Sequence, residues 1–305
     1  MSKKTSPGGP SDWRDAFIER YELPEDYRAF AQLWFDPLVA DIAVRQSGAQ
    51  GALLVGLNGS QGSGKTTLAA YLVTALDALY GISAFGLSLD DVYLGHEARQ
   101  SLATDIHPLL ATRGVPGTHD LPLLESTLSS LGSPEAFPLH VVGFDKASDD
   151  RQPEAEWRLV TAPPQVIILE GWCLGARPQS KPELAEPINA LERDEDADGA
   201  WRAYVNLALE AFEPIYARVD YWVMLAAPSF DCVLNWRSQQ EAALARHHPE
   251  GRALMDSAAL ERFVQHFQRL TEHCLHEMPD RVDYLLTLDA ARDVTFCRCG
   301  DREVT

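Results

Sequence analysis

Cysteine is scarce in this chain of 305 residues. Its five copies contain no C-x-x-C pair and no even framework, which excludes a disulfide-stapled scaffold. Cys173, Cys232 and Cys274 sit in apolar surroundings as small hydrophobes, and Cys297 and Cys299 form an isolated C-x-C. The sequence also lacks a long apolar run. No window approaches the ~18 residues of a membrane span, and Met1 to Pro10 is basic, polar and rich in Gly and Pro with no apolar stretch behind it. The expected address is therefore the cytoplasm. Positive charge is in short supply as well. Twenty-six Lys and Arg stand against 45 Asp and Glu, a formal net charge of −19. Such a surface repels phosphate backbones and anionic lipid heads, so no nucleic-acid partner and no membrane partner is expected. An anionic ligand must then be caught by a local positive pocket. The histidines near the C-terminal end (His266, His273, His276, with Cys274) and the pair His247 and His248 match no zinc spacing.

What is present is an ordinary globular composition, 46% hydrophobic and 23% charged. Helical periodicity runs from about Trp13 to Gln46, punctuated by Pro24 and Pro37. The period then changes. Ala52 to Leu57 reads as a strand buried on both faces, and further strands are expected over Ile82–Leu89, Val166–Leu169, Tyr221–Ala226 and Tyr284–Leu288. Helical stretches through Trp201–Tyr216 and Leu260–Cys274 alternate with them. This alternation predicts an α/β fold with a parallel sheet flanked by helices on both faces. Residues 1–50 read as an N-terminal extension, a disordered start followed by helices. Residues 51–305 read as one domain, with loops at about 88–151, an acidic solvated insertion at about 189–200 and a helical lid at about 230–256.

Gly59-Ser60-Gln61-Gly62-Ser63-Gly64-Lys65-Thr66 fits G-x-x-x-x-G-K-[ST] at every fixed position, between an apolar strand and an amphipathic helix. Glycines there let successive backbone N–H groups turn inward around phosphate oxygens, and the following helix adds the positive end of its dipole. Gly59 to Thr67 are thus the candidate ATP-binding residues. Lys65 would neutralise the β- and γ-phosphates, and the Thr66 hydroxyl would ligate Mg2+. A GTP-dependent switch would also need a base-reading N-K-x-D, which the sequence lacks. Asp196-Ala197-Asp198-Gly199 matches D-x-x-G only within the acidic insertion.

Asp90 and Asp91 close the second strand, at the sheet edge that faces the ligand crevice. Asp90 can accept the proton of an attacking hydroxyl and, like Asp91, can hold Mg2+; as helix caps, both would be merely structural. Tyr93 follows on the same segment. Glu170 ends the third strand at a position suited to the metal. The string Arg113-Gly114-Val115-Pro116-Gly117-Thr118-His119-Asp120 offers a guanidinium fork for a carboxylate, with Thr118 and Asp120 to bond hydroxyls and His119 to orient the acceptor or simply pack. Lys146 and Arg151 add cations on the acceptor side, to bind or to offset neighbouring acids. Arg237 opens an Arg-rich helical segment that reads either as a lid over the phosphates or as a solvated helix.

Taken in order, the P-loop, Ser88-Leu89-Asp90-Asp91-x-Tyr93, Arg113-Gly114-x-x-Gly117-Thr118-His119-Asp120, Phe144-Asp145-Lys146, Glu170-Gly171-Trp172 and Trp236-Arg237-x-Gln239-x-Glu241 resemble the D-glycerate 3-kinases of plant and fungal type and their bacterial relatives. These stand with uridine kinase, phosphoribulokinase and pantothenate kinase among the P-loop kinases. The resemblance spans roughly Gly51 to Asp289, with Val92 where the family usually has Phe. It implies an ATP- and Mg2+-dependent kinase acting on a small hydroxy acid. Asp90 would be the base, Lys65 and Arg237 would serve the transferring phosphoryl group, and Thr66, Glu170 and Asp90 would lie at the metal. Asp91, Tyr93, Arg113, Thr118, His119, Asp120, Lys146 and Arg151 would lie toward the acceptor. Another acceptor (a nucleoside, pantothenate or a sugar phosphate) and a non-catalytic ATP-binding regulator are the competing readings.

Overall fold

The apolar run before the glycine-rich turn forms β1 (Leu53–Gly59), buried along its whole length. Its neighbours are β7 (Val166–Gly171) and β8 (Tyr221–Ala226), both parallel to it. The parallel set is completed by β2 (Ala84–Ser88) beyond β7 and β9 (Tyr284–Leu288) beyond β8. Alternate residues of these strands feed opposite faces: Leu53, Val55 and Leu57 join one apolar cluster, while Leu54, Ile167 and Leu169 join the other. The structure, a computed structural model, describes residues 12–247, 257–300 and 302–304. The expected disordered start and the distal part of the expected lid, 248–256, lie outside the described residues.

Two corrections concern the sheet. The expected five strands are extended by β10 (Val294–Cys299) and β11 (Arg302–Val304), which pair antiparallel at the β9 edge and make the sheet seven-stranded among the described residues. The C-x-C pair lies within β10, whose mixed Thr, Arg and Cys composition gave no apolar run to read. The second strand is also shorter than Ile82–Leu89, because Leu89–Val92 turns into a 3-10 segment.

Helices α1 (Trp13–Arg20), α2 (Tyr27–Trp34) and α3 (Asp36–Gly48) pack with α4 (Lys65–Tyr80) on one face. Phe17, Phe35, Leu38 and Ile42 share a single core with Leu68, Tyr71 and Leu72. Between β2 and β7 come α5 (His96–Asp105), α6 (Leu121–Leu131) and four short strands, β3 (Leu139–Val141), β4 (Phe144–Asp145), β5 (Asp150–Arg151) and β6 (Arg158–Val160). The pairs β3·β6 and β4·β5 form two small antiparallel ribbons. After β7 come α7 (Lys181–Ala185), α8 (Ala190–Glu195), α9 (Ala200–Ala208) and α10 (Glu213–Tyr216). Then α11 (Phe230–His247) follows β8, and α12 (Ser257–Glu277) leads into β9.

The acidic insertion is exposed at Arg193–Glu195, Ala197 and Asp198, as a solvated segment would be, but it carries the helix α8 and two of its acids are held inside. Glu192 and Asp196 are buried, at 0% and 1% exposure. Glu192 receives a two-pronged bond from Arg269 of α12 (2.7 and 2.6 Å), and Asp196 takes Arg202 of α9 (2.9 Å) and the Trp201 backbone N–H (2.7 Å). The guanidinium on Glu192 arrives from 77 positions away and the one on Asp196 from the first turns of the next helix, so a count of charge misreads both acids as solvated.

Candidate active site

The parallel strand order β2-β7-β1-β8-β9 places neighbours on both sides of β1, and the end of β1 is the crevice where such sheets take ligands. Gly62 and Gly64 carry φ of +78° and +92°, a backbone that L side chains rarely adopt. A Cβ on Gly62 would fall 2.6 Å from that of Trp236, whereas one on Gly64 would meet nothing within 4 Å. Gly64 also opens α4, whose first turn carries neither a side-chain cap nor an acid. The arrangement is a glycine turn at an uncapped helix start, which suits phosphate.

Glu170, 4% exposed, sits beside this turn. Its Oε1 accepts from the Thr66 hydroxyl (2.9 Å), and its Oε2 lies 3.9 Å from Lys65 Nζ, buried with no hydrogen-bond partner. Ser60 Oγ, Ser63 Oγ and Gln61 Oε1 are likewise buried without one. A carboxylate oxygen left over beside a hydroxyl is the donor set of a hard cation, so these residues fit Mg2+. Thr67 lies one residue further along α4, partly buried.

Asp90 faces the same cavity, which Gln61, Lys65, Thr66, Lys146 and Arg237 help to line. Tyr93 donates to its Oδ1 (2.7 Å) and Lys146 Nζ to its Oδ2 (2.5 Å). Burial alone would raise the Asp90 carboxyl. The charges of Lys146 and Lys65, with the two hydrogen bonds, overcome it and hold the group well below the usual carboxylate range. Asp91 turns the other way. It caps the Ser88 N–H (3.2 Å) and meets Arg158 (3.3 Å), and burial raises its carboxyl.

The Arg113–Asp120 string is mostly occupied with its own architecture. Gly114 and Gly117, at φ +130° and +91°, leave no room for a side chain: a Cβ would meet Phe267 and Tyr204 respectively at 2.5 Å. Thr118 is fully buried, accepting from Gly114 N (3.0 Å) and donating to Val115 O (2.7 Å), so its hydroxyl belongs to the loop and not to an acceptor. Asp120 caps α6 through Leu123 N (3.0 Å) and takes Arg151 (2.6 Å), which also holds Tyr93 O (3.1 Å). Arg113 lines the cavity, yet it donates to Asp149, a carboxylate also bound by the buried Arg99 (3.0 Å). His119 is 6% exposed and stacks on Tyr93 at 4.7 Å between centroids. Burial lowers its pKa to about 4 against the pull of Asp90, so the ring is neutral.

Sequence reasoning missed the other wall. Phe263 and Phe267 of α12 line the cavity opposite the P-loop, with Arg237 5.8 Å above the Phe263 ring. Arg292, in the β9–β10 turn at φ +75°, donates to Gly62 O (2.7 Å) and to Gln239 (3.0 Å), tying α11 to the P-loop. Gly62 and Arg292 are 230 positions apart, and no local pattern announces the contact.

A phosphate loop at the end of β1, a buried acid beside it on β7 and a second carboxylate across the cavity at the end of β2 define a P-loop kinase. No protein-family model matches the chain. It is 33% identical over 243 residues to the Schizosaccharomyces pombe protein named uncharacterized kinase mug58, covering 77% of this chain and 82% of that one. It is 30% identical over 249 residues to the probable ATP-dependent kinase TDA10 of Saccharomyces cerevisiae, at 76% of each. Against the chloroplastic D-glycerate 3-kinase of Arabidopsis thaliana the identity is 31% over 227 residues, 70% of this chain but only 46% of that longer protein. The solved D-glycerate 3-kinase of Cryptococcus neoformans has the same fold, with a TM-score of 0.71, 24% identity and coverage of 85% of this chain and 96% of that one. The chain belongs to the P-loop kinase family of the Schizosaccharomyces and Saccharomyces proteins, and it is a phosphotransferase.

Proposed function

We propose that the protein transfers the γ-phosphoryl group of ATP to a hydroxyl of D-glycerate, with Mg2+. The observation that carries this reading is that Asp90 and Lys146 line one cavity with Lys65 and Thr66, whose hydroxyl bonds Glu170. Asp90 takes the proton of the acceptor hydroxyl as its oxygen bonds to the γ-phosphorus. The bond from that phosphorus to the bridging oxygen breaks, and ADP departs with the electron pair. Lys65 and the P-loop amides hold the phosphates in line, and Arg237 meets the charge of the transferring group. Thr66 and Glu170 would hold the magnesium, which would supply neutralisation of phosphate charge. Phe263, Phe267 and Trp172 wall the cavity and limit water around the reacting atoms. We assign the helix Phe230–His247 to a lid and Lys146 to the acceptor carboxylate as its cation. The set of a base and a cation side by side supports a hydroxy acid over a neutral alcohol. ADP release measured across D-glycerate, nucleosides, pantothenate and sugar phosphates tests the reading. D-Glycerate should turn over with the highest kcat/KM, and a higher value for any other acceptor would reject it.

A further inference from the structure

Arg292 stands at φ +75°, a backbone conformation that side chains rarely adopt, in the turn between β9 and β10. That turn is closed on itself. Asp289 Oδ1 accepts from the N–H groups of Ala291 (2.8 Å) and Asp293 (2.9 Å), and Asp289 N donates to Asp293 O (2.9 Å). The Ala290 carbonyl takes Trp236 Nε1 (2.9 Å) from α11. The guanidinium is partly buried, and burial lowers its pKa against its own charge. A left-handed residue carrying a desolvated charge persists where its surroundings over-determine it, and such residues gather at functional sites.

What Arg292 holds is the phosphate turn. Its Nε donates to Gly62 O (2.7 Å), while the Ser63 N–H, at the other end of the same peptide, donates to Ser60 O (3.2 Å). A peptide is planar, so bonds on its carbonyl and on its N–H fix the orientation of the whole unit. Gly62 itself, at φ +78°, is the kind of residue that leaves such a conformation freely, so the contact falls where the turn is softest. The same guanidinium donates through Nη2 to Gln239 Oε1 (3.0 Å) and lies 5.1 Å from the centroid of the Trp236 ring. Arg237, which lines the cavity, stands between Trp236 and Gln239 in the chain. The turn of α11 that supplies it is therefore the one Arg292 grips.

We propose that Arg292 is a positioning residue for the nucleotide, holding the Gly62–Ser63 peptide in the shape that receives phosphate and making that shape depend on where α11 lies. Without the strap the turn presents the binding shape for a smaller fraction of the time, and apparent affinity falls by that fraction. Displacement of α11 reaches the phosphate turn through Gln239 and Arg292, with no contact to the nucleotide required of either. This inference rests on the reading of the turn as the ATP site.

The test measures binding of ATP with Mg2+ by titration calorimetry and the KM for D-glycerate at saturating ATP, in wild type, Arg292→Gly, Arg292→Lys, Gln239→Leu and the double variant Arg292→Gly with Gln239→Leu. Glycine keeps the left-handed backbone and removes the guanidinium. A hydrogen bond from a charged group is worth roughly 10–100-fold in such an equilibrium. The Kd for ATP should rise by that order in Arg292→Gly, with the D-glycerate KM within about threefold of wild type, and Arg292→Lys should recover part of the loss. Gln239→Leu should raise the Kd severalfold in wild type and less than about twofold beside Arg292→Gly. A Kd within about twofold of wild type in Arg292→Gly, or a D-glycerate KM that rises as steeply, overturns the proposal. Equal effects of Gln239→Leu in the two backgrounds, or none in wild type, overturn the link to α11, and Gln239→Leu alone decides if Arg292→Gly does not fold. Wild type that binds no ATP overturns the reading of the nucleotide site itself. Wild type that binds ATP without turning over D-glycerate rejects the glycerate reading and leaves the ATP measurements to decide.

Discussion

Thr118 separates a loop-building role from an acceptor-binding one. Its hydroxyl makes two bonds, accepting from Gly114 N at 3.0 Å and donating to Val115 O at 2.7 Å, at 0% exposure. Thr118→Val keeps the shape and removes both. Val115 O keeps its bond from the Thr118 N–H (3.1 Å), so the Gly114 N–H is the one buried backbone group left without a partner, at a cost of about 1–3 kcal/mol. At about 2–4 °C per kcal/mol in a chain of this size, Tm should fall by roughly 2–12 °C. Well below that transition, the acceptor KM should stay within about threefold of wild type, because the hydroxyl is fully buried and its one proton is spent on Val115 O. Thermal unfolding and steady-state kinetics with varied acceptor measure the two quantities on one preparation. An unchanged Tm with an acceptor KM raised tenfold or more would refute the reasoning.

Two further outcomes follow from buried charge and buried histidine. Glu192→Gln removes the charge facing Arg269 in a site where both side chains are at most 9% exposed, so urea unfolding should show a loss of about 3–5 kcal/mol; under 1 kcal/mol would mark the insertion as solvated after all. His119 has a folded pKa near 4, below its ordinary 6.5, so the unfolded chain binds the proton first as pH falls. Its contribution to stability is complete above pH 6.5 and drains away between 6.5 and 4, by about 3 kcal/mol at most. His119→Phe should flatten that part of the stability–pH curve, and an unaltered slope would contradict the burial argument.

The parts of the molecule that were legible in the sequence are those written locally. Leu53 to Leu57 followed by Gly59 to Thr66 states a buried strand, a phosphate turn and a helix start in contiguous residues, and the fold follows from it. The order of motifs around Asp90, Arg113 and Glu170 likewise indicated the family. What was not legible is the division of labour among polar side chains. Arg113, Thr118, Asp120 and Arg151 have the chemistry of a substrate site, yet all four pair with Asp149, the Gly114–Val115 backbone or each other. Arg113 and Asp149 are 36 positions apart, and Glu192 and Arg269 are 77 apart. Composition cannot distinguish a charge aimed at a ligand from one aimed at a partner that folding delivers. The edge strands β10 and β11 escaped for another reason, since Thr295, Arg298 and Arg302 interrupt any apolar period.

The central claim is that Asp90 is the base of a phosphoryl transfer whose nucleotide site is built from other residues. Asp90→Asn keeps the size of the side chain and removes its ability to take a proton. Measured by nucleotide binding and by single-turnover phosphorylation of D-glycerate, the variant should bind ATP within a few-fold of wild type. Its turnover should be lower by about 10²–10⁴-fold. Turnover close to wild type in a variant that binds ATP normally would contradict the account.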